Sequence, residues 1–187
     1  MKINFNKILH QLLDFFEITL ICCLVFFTVY LFVGQLVEVS GNSMEPNFHN
    51  GQQILAEKFS LNITNLKRGD VIIFENTENN RQNSRLLIKR IIGLPNETTK
   101  IENGQVYIDD KILEEPYLKK DTYTNLKSDY KLKEGEEYKI GEDSYIVLGD
   151  NRDSSLDSRY FGALHKNKIL AKVVLIYYPL NQFKLVR

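Results

Sequence analysis

Three short stretches hold most of the chain's capacity for chemistry. In Ser40–Phe48 (SGNSMEPNF) the second of two serines, Ser43, lies among the turn formers Gly41, Asn42 and Pro46. In Arg85–Leu94 (RLLIKRIIGL) one lysine, Lys89, is embedded among Leu86, Leu87, Ile88, Ile91 and Ile92. In Gly149–Arg159 (GDNRDSSLDSR) three serines and three aspartates mix with two arginines and an asparagine. A serine hydroxyl is inert at neutral pH until a base takes its proton. Histidine oriented by a carboxylate is the usual base, and His49 and His165 both lie in polar turns, though no neighbouring residue marks either one. Lys89 is the more telling candidate. Burial disfavours its ammonium form and frees a neutral amine for general-base work. The competing reading places Lys89 on an edge strand with its head in water. The Gly149–Arg159 loop reads either as a run of Asx turns or as a shell of donors and acceptors around a buried amine.

These residues need a scaffold, and the pattern after residue 40 is that of β structure. Short runs rich in Val, Ile, Phe and Tyr predict strands at Gln53–Phe59, Asp70–Glu75, Arg85–Leu94, Gln105–Leu113, Ser144–Gly149 and Lys172–Tyr178. Turn signals such as Lys67–Asp70 and Asn103-Gly104 separate them. On a strand, period two puts Leu87, Lys89 and Ile91 on one face and Ile88, Arg90 and Ile92 on the other. The two adjacent cations are thereby assigned different surroundings. Residues 76–84 read as a solvated loop, and the Lys/Glu-rich segment 114–142 as an exposed excursion from the sheet.

Composition excludes several functions. The chain of 187 residues carries 24 basic and 24 acidic side chains, so it lacks the basic surplus of a nucleic-acid binder. Its only cysteines, Cys22 and Cys23, are adjacent, and its three histidines are scattered. No disulfide framework, metal site or cofactor is expected.

From Ile18 to Val37 no residue is charged, and twenty helical residues span roughly 30 Å, the thickness of a hydrocarbon core. This run exceeds the ~7–15-residue apolar region of a cleavable signal peptide, which favours an uncleaved anchor. Lys2 and Lys7 before it, with Glu38 and Glu45 after it, place the N-terminus in the cytoplasm. The expected organisation is a cytoplasmic segment 1–17, a transmembrane anchor 18–37 and an extracytoplasmic catalytic β domain 38–187, with a variable insertion at 97–143.

In order and spacing, the blocks SGNSMEPNF, RGDVIIF, KRIIGLPNE and GDNRDSSLDSR behind an anchor resemble type I signal peptidases, specifically their Gram-positive form. The resemblance spans the exported region except for about 97–143. It implies a coiled, barrel-like antiparallel β-sheet domain and a Ser–Lys dyad, with Ser43 as nucleophile and Lys89 as general base. It further implies that the Ser43 N–H is an oxyanion donor, that Gly41 stands where some members carry a donor serine, and that Ser155 orients the Lys89 amine. Asp157 and Arg159 would brace the loop. The implied substrate is a preprotein signal peptide bound in extended form at the lipid surface and cut after small −3 and −1 residues. A repressor-type Ser–Lys autoprotease and a non-catalytic peptide-binding domain are the rivals. The Ser128–Lys131 match to Ser-x-x-Lys lies in a charged excursion and is ascribed to chance.

Overall fold

The computed structural model of the chain describes residues 5–32, 34–58, 66–76 and 85–186. It divides into two units, Met1–Gly34 and Gln35–Arg187. The first is one helix, α1 (Phe5–Phe32), whose stretch Leu9–Phe27 is long and apolar enough to cross a membrane, with a mean hydropathy of 1.7. This differs from the 18–37 window. The helix runs back through Asp14 and Glu17, because charged residues near one end do not interrupt its backbone bonds. Past Gly34, Gln35–Glu38 forms a strand.

In the second unit, β1 (Gln35–Glu38), β2 (Gln53–Glu57), β3 (Val71–Asn76), β4 (Arg85–Gly93), β9 (Ser144–Leu148), β10 (Leu164–His165) and β11 (Ile169–Tyr178) form one sheet. Its order is β1-β2-β11-β3-β4-β9-β10, and β12 (Lys184–Leu185) pairs with β11. A smaller sheet, in the order β7-β6-β5-β8, contains β5 (Thr98–Glu102), β6 (Gln105–Ile108), β7 (Lys111–Ile112) and β8 (Glu137–Lys139). The strand pairs are antiparallel. The larger sheet ends at β1 and β10, so it is open where a barrel would be closed. Its bulges, as where β11 shifts register between Val173 and Leu175, add local twist.

Two further expectations change. Gln105–Leu113 is a hairpin, because Asp109 and Asp110 both adopt positive φ (47° and 62°), the conformation of a two-residue turn. Segment 114–142 is no mere excursion, since Thr124, Leu132 and Ile140 are buried. Leu132 and Ile140 join Ile101 and Val106 from the smaller sheet and Ile92, Ile146 and Leu148 from the larger in one apolar cluster. The strand expected to reach Phe59 is β2, which ends at Glu57; Phe59 itself, like residues 77–84 of the expected loop, lies outside the described residues.

Candidate active site

The turn bearing Ser43 is fixed from both sides. Met44 and Phe48, four residues apart, are buried in the cluster that includes Val39, Ile54 and Ile176, and the Phe48 N–H donates to the Met44 carbonyl at 3.0 Å. Gly41 has φ +92°, a left-handed conformation that favours glycine, and its N–H donates to Asn50 Oδ1 at 2.8 Å. Gly41 therefore shapes the turn and offers no side-chain donor.

Lys89 enters from β4, paired across from Ile72 of β3. It is 1 % exposed, and its Nζ donates to Ser43 Oγ at 2.7 Å and to the Ile88 carbonyl at 2.8 Å. Neither acceptor carries a charge. Burial pushes the amine down from 10.5 to about 8, while the Asp157 and Asp150 carboxylates pull it partly back up and Arg159 pushes it down again. Keeping the amine protonated here costs roughly 3 kcal/mol relative to water. A neutral amine is thus accessible close to physiological pH.

The Gly149–Arg159 loop packs on both partners. The Asn151 N–H donates to the Ser43 carbonyl at 3.1 Å, and Asn151 Nδ2 donates to the Asn42 carbonyl at 3.1 Å. Asp150 takes two bonds from Arg90, at 2.8 and 2.6 Å, and one from Asn47 Nδ2 at 2.8 Å. Asp157 is fully buried and caps the single-turn helix α2 (Ser158–Phe161). It accepts from the Gly149 N–H at 3.0 Å and from Arg159 Nε and Nη2, both at 2.9 Å. Ser155 Oγ is buried beside Gly149 with no hydrogen-bond partner, so its hydroxyl does not reach Lys89 in this arrangement.

The structure thus brings Ser43, Lys89, Gly149, Ser155 and Asp157 together and keeps the histidines apart. His49 Nδ1 faces Glu45 at 3.9 Å, and His165 Nδ1 accepts the Asn167 N–H at 3.3 Å. Lys131, the end of the Ser-x-x-Lys match, donates to the Phe161 carbonyl. Among the described residues no group of three His, Cys, Asp or Glu side chains could hold a metal ion. The sequence reading missed Asn47, Asn50 and Asn151, visible there only as turn formers, and Glu115 and Tyr117, placed in an exposed segment.

A small apolar cleft of about 170 Å³ is lined by Val37–Ser40, Ile54, Ile73 and Leu86–Ile88, and the carbonyl of its lining residue Ile88 accepts from Lys89 Nζ. Its flanks are strand edges. β1 ends the larger sheet, and β9 covers only Arg90–Gly93 of β4, which leaves the Leu86–Ile88 side without a strand neighbour among the described residues.

The sequence pattern of the family described as signal peptidase, peptidase S26, matches residues 12–178. Signal peptidase I P of Bacillus subtilis subsp. natto is 30% identical over 181 residues, 93% of each chain. Signal peptidase I of Leptolyngbya laminosa is 35% identical over 155 residues, covering 81% of this chain and 72% of its own. A solved signal peptidase I from Enterococcus faecalis V583 aligns with 58% of this chain and 97% of its own, at 28% identity and a TM-score of 0.44. With a family match over nearly its whole length and relatives at this level of identity, the chain belongs to the signal peptidases of family S26.

Proposed function

We propose that this protein is a membrane-anchored serine endopeptidase that removes signal peptides from exported preproteins, with Ser43 as nucleophile and Lys89 as general base. One observation carries the assignment of roles: the buried Lys89 amine lies 2.7 Å from the Ser43 hydroxyl and has no carboxylate bonded to it. Once neutral, the amine accepts the hydroxyl proton over that distance while Ser43 Oγ attacks the scissile carbonyl. The Ser43 N–H stabilises the oxyanion. The ammonium then passes its proton to the departing amine, leaving an acyl ester on Ser43. A water deprotonated by Lys89 hydrolyses that ester.

The apolar cleft fits the small side chains of a −1 and −3 site, and the strand edges beside it suit an extended peptide. In this reading Gly41 sets the turn, Asp157 and Arg159 brace the loop, and the Ser155 hydroxyl turns to the Lys89 amine during catalysis. The helix α1, through its apolar stretch Leu9–Phe27, holds the enzyme in the membrane, with the N-terminus cytoplasmic and the β unit from Gln35 onward, including the 97–143 insertion, on the far side. Exposed Leu180, Phe183 and Leu185 near β11 are among the apolar side chains available to meet lipid.

The test is incubation of the full chain in detergent with a model preprotein, followed by sequencing of the new N-terminus. Cleavage after a small residue at the end of the signal peptide is expected, with none from Ser43→Ala. Cleavage by Ser43→Ala at the parental rate would refute the nucleophile.

A further inference from the structure

The insertion contacts the active-site loop, β4 and the Ser43 turn in ways that the dyad does not account for. Glu115 grips the guanidinium of Arg152 with both carboxylate oxygens, Nη1 to Oε2 at 3.0 Å and Nη2 to Oε1. Arg152 is buried and also donates to Thr124 Oγ1 of the same insertion, while its Nε holds the Gly149 carbonyl at 3.0 Å. Two residues further on in the loop, the Asn151 N–H holds the Ser43 carbonyl. Tyr117 makes the second connection. Its ring lies under the Arg90 guanidinium, 4.2 Å from centroid to Cζ, directly beside Lys89 in sequence. Its carbonyl accepts from Asn47 Nδ2 at 2.8 Å, and its hydroxyl donates to Glu115 Oε1 at 2.6 Å.

We infer that Glu115 and Tyr117 form a strap by which the insertion positions the dyad, Glu115 acting through Arg152 on the Ser43 carbonyl and Tyr117 through Arg90 and Asn47 on both partners. This rests on the proposed peptidase activity. Both are positioning residues, since neither touches the reacting atoms. The strap has the features of a positioning device rather than of surface decoration. Its carboxylate is nearly buried, at 11% side-chain exposure, against a cation at 1%. A buried ion pair is costly to break because one charge is left behind uncompensated. A displacement of about 1 Å at the dyad is enough to cost ~10²-fold in rate.

The experiment compares Glu115→Ala, Tyr117→Ala and Tyr117→Phe with the parental chain and Ser43→Ala, all full-length in detergent. It measures kcat and KM on a preprotein well below each variant's Tm. Glu115→Ala and Tyr117→Ala are expected to lower kcat about tenfold or more with KM within about twofold, and to displace the acid limb of the pH profile as Asp150 and Asp157 move relative to Lys89. Tyr117→Phe, which keeps the ring, is expected to recover most of the Tyr117→Ala loss. Should Glu115→Ala fail to fold, the half-buried Tyr117 pair decides. If the Ala variants that fold keep the parental kcat and pH profile and lose only Tm, the insertion is structural and the inference is wrong. A parental chain that cleaves no preprotein would instead remove the peptidase reading, and the strap's role with it.

Discussion

Two consecutive residues of β4 carry cations into the interior and meet opposite fates. Lys89 is 1 % exposed and Arg90 is 4 % exposed. Arg90 reaches Asp150 through two bonds and the Gly69 carbonyl through a third, so every part of its fork is satisfied and its charge is compensated. Lys89 reaches a hydroxyl and a carbonyl, neither charged, and burial drives it toward the neutral form. Burial is common to both; the bonded carboxylate is what separates them. One cation is thereby a structural tie, and the other is left free to serve as the base proposed above.

The comparison is broken most severely by replacing the amine. Lys89→Met is expected to cut kcat/KM by ~10³-fold or more, as removal of a general base does, while Tm holds or rises, because an apolar isostere no longer has to be kept neutral in an apolar pocket. A parallel fall in Tm would mean that Lys89 is structural. Next is Gly149→Ala. A Cβ there would collide with Ser155 and with the Ser43 carbonyl, so kcat should fall roughly 10²-fold through a displaced nucleophile. Parental kinetics in this variant would show the loop to be free to yield.

Asp150→Asn sharpens the contrast by turning Arg90 into an uncompensated buried cation. It is expected to lower stability by about 3–5 kcal/mol in denaturant unfolding. It also removes a carboxylate that raises the Lys89 pKa, so the acid limb of kcat/KM should move to lower pH. The sign for stability follows from the same group. Because the native pKa of Lys89 is below its unfolded value, the unfolded state holds more protons between about 8 and 10.5, and this residue's contribution to stability rises with pH across that window and is lost below it. The smallest expected effect is that of Ser155→Ala. Tm should hold, since the hydroxyl has no partner to lose, and kcat should drop about tenfold if that hydroxyl orients the amine.

Ser43, Lys89 and the Gly149–Arg159 loop were legible because each announces itself locally: a glycine-bearing turn, one cation in an apolar strand, and a dense polar loop. Their joint role came from the resemblance. The braces were not legible for a physical reason. Glu115 and Tyr117 are ordinary residues in a lysine- and glutamate-rich segment, and only a pairing across 37 positions, to Arg152, makes the carboxylate structural. Gln35–Glu38 was hidden in a different way. Gln, Leu and Val carry no charge, so they read as the tail of the apolar run, and their strand nature depends on β2 lying alongside. The Asp109-Asp110 turn was masked by apolar residues on both sides that resemble one continuous strand. The larger strands, whose apolar content is self-evident, fell close to their observed limits.

The most direct measurement is an NMR titration of the Lys89 Nζ in the full-length chain, assigned by comparison with Lys89→Met. A midpoint near 8, coinciding with the acid limb of kcat/KM, is the predicted result. A midpoint near the ordinary 10.5 would mean an amine still charged at working pH, and would contradict its role as the base for Ser43.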